Sequence, residues 1–261
     1  MRIGFYQFNP KPKAVAENLN RIVKRLEVVK ADIIVLPELC LTGYLFSSRA
    51  ELARFAEPVP DGPTCSLLLN FCTRQNINLI LGIAERSGSR IFNSAILVTT
   101  SGTVHTYRKI HLFTEEKDIF DQGNLPFPVF TLGQVRVGML VCFDYFFPES
   151  SRTLALRGAQ LICHPANLVL DYAQSMTITR AQENRIFWVL ANRIGSERLG
   201  NKEMKFTGRS QIVAPDGNVL VRASADQEEL PIVDINPALA LNKNVTPRNN
   251  IFTDRRPELY L

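Results

Sequence analysis

Residues 2–8 form an alternating apolar run that breaks at Asn9-Pro10, after which Val15, Leu19, Ile22, Val23, Leu26 and Val29 recur at helical spacing. A strand, a turn and an amphipathic helix are expected. Residues 32–36 are a short β-branched run closed by Pro37, the pattern of a buried parallel strand that follows a helical crossover. The first 36 residues therefore predict a βαβ unit. Asp61-Gly62-Pro63-Thr64 marks a turn and a helix start, with Leu67, Leu68, Phe71 and Cys72 as the inward face, and residues 78–84 read as another buried strand. Residues 92–99 and 103–108, separated by Ser101-Gly102, predict a hairpin.

The rhythm repeats in the second half. Residues 135–141 predict a strand, 148–157 a helix with proline at its start, 161–164 a strand, 173–185 a helix and 187–191 a strand. Pro215-Asp216-Gly217 then joins residues 210–213 to 219–221 as a second hairpin. Residues 109–128 lack clear periodicity and carry Lys109, His111, Glu115, Glu116 and Pro126, which predicts a long functional loop. Residues 246–261 hold two prolines and three arginines without a core pattern, and read as a tail. Two βαβ passages interleaved with hairpins imply an α/β fold of mixed sheets covered by helices, in which sites form beyond the carboxyl ends of strands. Glu38, Lys109 and Cys142 each fall one or two residues past a predicted strand end.

Composition narrows the class. Of 261 residues, 46% are hydrophobic and 21% charged, which suits one globular domain over residues 1–261 and excludes a disordered chain. The net charge of +5 is scattered, with no basic block interleaved with aromatics, so no nucleic-acid partner is expected. Residues 1–6 read directly as strand and no apolar run reaches membrane-span length, so a soluble, cytoplasmic protein without a membrane partner is expected. Five cysteines, an odd number without paired spacing, suggest no disulfide framework or zinc knuckle, and three histidines make a histidine-rich metal centre unexpected.

The candidate chemistry is a carboxylate, an ammonium and a thiol. Glu38 follows a buried strand, where desolvation favours a base that works near neutral pH. Lys109 stands at a loop entrance, and Cys142 ends a hydrophobic strand ahead of Pro148-Glu149 and a helix. Singly, each has an ordinary reading as ion-pair partner, surface cation or buried small hydrophobe. Their convergence at strand ends favours chemistry.

Three segments carry a resemblance: Pro-Glu-Leu-x-Leu-Thr-Gly-Tyr at 37–44, Tyr-Arg-Lys-x-His-Leu-Phe at 107–113 and Cys-x-Asp-x-x-Phe-Pro-Glu at 142–149. In order and spacing the chain resembles the nitrilase superfamily, the carbon–nitrogen hydrolases, nearly end to end, with further echoes at 192–195 and 206–210. The resemblance implies a four-layer αββα sandwich of two mixed β-sheets flanked by helices, with Glu38 as base, Lys109 as oxyanion stabiliser and Cys142 as nucleophile. It implies a second glutamate in the loop after the lysine, for which Glu116 is chosen over its neighbour Glu115 because Glu116-Lys117 precedes Phe120-x-x-Gly123. By motif position Tyr44, Phe113, Phe143, Phe146 and Asn167 are candidates for the substrate pocket, and each could equally be packing. His164-Pro165 is assigned to structure.

The resemblance further implies hydrolysis of a small-molecule amide or nitrile through a cysteine thioester, without metal or cofactor. Cys142-Phe143-Asp144 is more similar to the amidase and carbamoylase branches than the Cys-Trp-Glu of true nitrilases, so an amide is favoured. Nitrile hydrolysis, N-carbamoyl hydrolysis and an idle scaffold of the same fold are the alternatives. A homodimer or higher homo-oligomer is implied, with residues 246–261 packing at the interface.

Overall fold

The short apolar runs become the centres of two sheets in a computed structural model that describes residues 1–260. In chain order the first half comprises β1 (Arg2–Phe5), α1 (Val15–Leu26), β2 (Ile33–Val35), α2 (Arg49–Leu52), β3 (Glu57–Pro58), α3 (Pro63–Gln75), β4 (Asn78–Ser87), β5 (Arg90–Val98) and β6 (Val104–Arg108). The second half comprises α4 (Glu116–Ile119), β7 (Val129–Leu132), β8 (Val135–Met139), α5 (Pro148–Leu156), β9 (Leu161–Ala166), α6 (Ala173–Asn184) and β10 (Phe187–Asn192). It continues through β11 (Ser196–Leu199), β12 (Lys202–Lys205), β13 (Gln211–Val213), β14 (Val219–Arg222), β15 (Ile232–Asp234), β16 (Asn244–Thr246) and β17 (Asn249–Asn250).

One sheet runs β15-β1-β2-β4-β5-β6 with β3 beside β4, and the other runs β14-β13-β10-β9-β8-β7. Each has a parallel centre, β1-β2-β4 and β8-β9-β10, flanked by antiparallel strands. Because side chains alternate across a strand, β2 turns Ile33 and Val35 toward the second sheet and Ile34 toward the helices. Ile3, Phe5 and Leu97 meet Met139, Cys163 and Val189 in one inter-sheet core. Leu19, Ile22 and Leu26 of α1, with Leu68, Phe71 and Cys72 of α3, cover the outer face of the first sheet. Leu154 and Ala155 of α5 and Ala181 of α6 cover the second. The layers are therefore helix, sheet, sheet, helix: a four-layer αββα sandwich.

The helices begin and end for local reasons. Pro63 opens α3, where its missing N–H costs nothing, and Asn76 closes it in the left-handed conformation. Glu17 in the first turn of α1 and Lys24 and Arg25 in the last oppose the helix dipole.

Several elements depart from the sequence reading. β2 ends at Val35 and β8 at Met139, so Glu38 and Cys142 lie three residues past their strands rather than one or two. Pro37 offers no N–H to extend the first ladder, and residues 142–146 coil into a 3₁₀ turn that ends the second. The loop over 109–128 contains the short helix α4, while β7, β15 and the β11-β12 hairpin were not legible as periodic runs. The tail is more ordered than its sequence suggests: β16 and β17 pair, and Phe252 packs against the inter-sheet core with Arg152 at 5.6 Å and Lys243 at 5.0 Å from its ring. Leu261 lies outside the described residues. Among the described residues, no helix is long and apolar enough to cross a membrane.

Candidate active site

Glu38 is fully buried, and the chain that carries it lies against β4. The Leu36 N–H donates to Ile80 O at 2.7 Å, and the Gly82 N–H donates to Pro37 O at 3.0 Å. A side chain at Gly82 would place its Cβ 2.4 Å from Glu38 Cα, so glycine is the residue that admits this approach. From β5, Asn93 Nδ2 donates to Glu38 Oε1 at 2.7 Å. The other carboxylate oxygen, Oε2, is buried without a partner among the described residues.

Lys109 leaves the end of β6, its N–H held by Asn93 O at 2.8 Å, and its ammonium lies buried between two carboxylates. Nζ is 2.8 Å from Glu38 Oε1 and 2.7 Å from Glu116. Burial works to lower the Lys109 pKa, but Glu116 and Glu38 outweigh it, and the group is held above its ordinary value as an ammonium. Glu116 is fixed from two further sides, by the Tyr44 hydroxyl at 2.7 Å and the Phe113 N–H at 3.0 Å. Burial raises its pKa, with the Lys109 charge opposing and the Glu38 charge adding. Of the two neighbouring glutamates, Glu116 meets Lys109, whereas Glu115 is exposed and pairs with Lys202.

Cys142 begins the 3₁₀ turn with φ of +42°, a left-handed backbone that a non-glycine residue adopts at a cost. Two side chains hold it there. Asp144 accepts from the Val141 N–H at 2.9 Å, the Tyr107 hydroxyl at 2.8 Å, and the His111 N–H and Nδ1 at 3.2 and 2.8 Å. It thereby ties the turn that carries Cys142 to the segment that carries Lys109. His164, fully buried, accepts from Trp188 Nε1 at Nδ1 and so has its proton on Nε2, which donates to Cys142 O at 2.9 Å. Burial pushes the Cys142 thiol well above its ordinary pKa, Glu38 adds to the rise and Lys109 opposes it, so the resting sulfur is a thiol.

Burial also pushes the His164 pKa down from 6.5 to about 3, which has a sign that can be tested. Between those values the unfolded chain binds a proton that the folded chain does not, so stability is full above about pH 6.5 and falls as the pH drops toward 3. His164→Gln, which can still donate to Cys142 O but cannot be protonated, should show a flatter acid limb. Urea unfolding of both proteins at pH 7, 5 and 4 checks this, and parallel losses would refute it.

Cys142 opens onto a small pocket lined by Phe113, Phe143, Tyr145, Asn167, Leu168, Val169 and Leu170. Three of the five residues assigned to a pocket by motif position, Phe113, Phe143 and Asn167, line it. Phe146 does not: it is 40% exposed and stacks on the Phe143 ring. Tyr44 is spent on Glu116. Tyr145 and residues 168–170 were missed, because apolar positions beside a strand end carry no distinguishing pattern.

Asn93 and the pair Arg193–Glu197 were also missed. Glu197 accepts the N–H groups of Tyr44 and Leu45 while bonding to Arg193, whose guanidinium lies 4.1 Å over the Phe206 ring. The echoes at 192–195 and 206–210 were the available signal. Among the described residues, no cluster of His, Cys, Asp and Glu has a metal-binding arrangement.

The family model for carbon–nitrogen hydrolases matches residues 2–241, and this chain belongs to that family, within the nitrilase superfamily. It is 41% identical over 263 residues to a protein of Pyrococcus abyssi named nitrilase, covering 100% of this chain and 99% of that one. It is 35% identical to an (R)-stereoselective amidase of a Pseudomonas species, over 87% of this chain and 82% of the relative. Among solved structures it is similar to a variant of the amidase from Nesterenkonia sp. AN1 bearing acrylamide added at its active-site cysteine. That likeness has a TM-score of 0.81 and 28% identity, and covers 99% of this chain and 98% of that one.

Proposed function

We propose that this carbon–nitrogen hydrolase cleaves the amide bond of a small carboxamide, releasing a carboxylic acid and ammonia through a thioester on Cys142. The observation that carries the reading is a buried carboxylate, Glu38, whose Oε1 is held by Asn93 and Lys109 and whose Oε2 has no partner among the described residues, in a cluster whose charges act on the Cys142 thiol. A thiol at rest cannot attack without losing its proton, and an unpaired buried carboxylate oxygen is a ready acceptor.

In this reading Sγ adds to the carbonyl carbon as its proton passes to Glu38 Oε2. The developing oxyanion is stabilised by Lys109 and a backbone N–H beside Cys142. Glu116, held by Tyr44 and Phe113, keeps the Lys109 ammonium in place. Glu38 then returns the proton to the departing nitrogen, ammonia leaves, and the same carboxylate removes a proton from the water that opens the thioester.

Amide is favoured over nitrile because the first amide adduct carries its charge on oxygen, within reach of a fixed ammonium, whereas the nitrile adduct needs protons delivered to nitrogen. The structural relative with a modified active-site cysteine is an amidase, while the 41%-identical relative is named a nitrilase, so the matched pair is the test. Propionamide should be hydrolysed at least about tenfold faster than propionitrile in kcat/KM, equivalent to about 1.4 kcal/mol of transition-state discrimination. Ammonia release measures both. Equal rates, or a faster nitrile, would assign the chain to nitriles.

A further inference from the structure

The pocket beside Cys142 is apolar except at two places, and both are unsatisfied. Asn167, one residue past β9, is 3% exposed, and neither its Oδ1 nor its Nδ2 has a hydrogen-bond partner among the described residues. Tyr145, in the turn that starts at Cys142, is 1% exposed, and its hydroxyl is equally without one. Both residues line the pocket. Burial raises the Tyr145 pKa, so the group stays a neutral phenol able to donate and to accept.

Leaving such groups buried and unpaired is costly, and native interiors seldom do so. Three unpaired polar atoms on one pocket's lining suggest that their partner comes from outside the chain. Its chemistry can be narrowed. Among the described residues no arginine, histidine, aspartate or glutamate lines this pocket, and Lys109 is already shared between Glu38 and Glu116. A carboxylate on the acyl chain would meet no free cation, and an ammonium no free anion. The remaining lining residues, Phe113, Phe143, Leu168, Val169 and Leu170, suit a short hydrocarbon stem.

We propose that the preferred substrate is a short aliphatic carboxamide bearing a neutral hydrogen-bonding substituent, a hydroxyl, near the carbonyl, and that Asn167 and Tyr145 bind it. This rests on the amide reading above and adds the class of acyl group. Discrimination follows from the asymmetry of burial: a substrate without the hydroxyl leaves the buried amide and phenol without a partner, whereas the hydroxylated one satisfies them.

The test compares (R)- and (S)-lactamide and 3-hydroxypropionamide with propionamide. For wild type, kcat/KM for the best hydroxylated amide should exceed that for propionamide by at least about tenfold. The ratio should fall to about one in Asn167→Leu and drop in Tyr145→Phe, the second variant guarding against misfolding of the first. A wild-type ratio near one, or a ratio unchanged in both variants, overturns the proposal. So does an equal loss on both substrates in Asn167→Leu, which would place Asn167 in support of Cys142 and not of the substituent. Calorimetric binding to Cys142→Ala protein separates this from failure of the amide reading. Tighter binding of a hydroxylated amide than of propionamide by Cys142→Ala, with wild type hydrolysing neither, would refute the reaction and keep the recognition, and equal binding would refute the recognition.

Discussion

Cys142→Ala should release no ammonia from any amide above background, a loss on the order of 10⁴-fold or more, while unfolding in urea close to wild type. The substitution removes one sulfur from a side chain that already borders a pocket, so little packing is lost. All five cysteines are buried, and burial pushes the Cys40, Cys65 and Cys72 thiols to about 12 and raises Cys163 as well. None of those four lines the pocket. Iodoacetamide inactivation should therefore track modification at Cys142, read by peptide mapping. Inactivation that follows Cys40 or Cys163 would remove Cys142 from the chemistry.

Glu38→Gln should lower turnover by about 100-fold to 10,000-fold, the range for a general base, with the fold intact. Glutamine keeps an oxygen where Lys109 and Asn93 donate, and it changes a cluster of two carboxylates and one ammonium into a neutral pair. Removing the Glu38 charge also removes one of the causes that hold the Cys142 thiol high, so its ultraviolet titration should move to lower pH. More than half of wild-type turnover, or an unmoved thiol titration, would detach Glu38 from the thiol. Lys109→Ala is a different experiment. It leaves Glu38 and Glu116 buried without their counter-ion, so stability should fall by about 3–5 kcal/mol together with activity, and its activity alone would not isolate an oxyanion role.

Much of the candidate site was legible because the motifs are local. Glu38, Lys109 and Cys142 stand in short segments next to predicted strands, and Glu116 differs from Glu115 by one place in a loop whose register Phe120 and Gly123 suggested. Gly123 approaches the Arg108 carbonyl so closely that a Cβ there would lie 2.2 Å from it, which is why that loop returns where it does. The supporting residues were harder to see. Asn93 and His164 sit inside apolar strand runs, where one polar residue has no periodic signature, and their partners Glu38 and Trp188 are 55 and 24 residues away.

By itself, the sequence determined which strands have two buried faces and where the helices between them start. It also placed a carboxylate, an ammonium and a thiol at chain reversals, since these follow from side-chain period, proline and glycine chemistry within a few residues. Only the tertiary structure decided that Lys109 is clamped between two glutamates, that Glu38 keeps one oxygen free, and that Asn167 and Tyr145 face the same pocket unpaired. Those are properties of distance and desolvation. They arise when two sheets close on one another and exclude water from groups far apart in the chain.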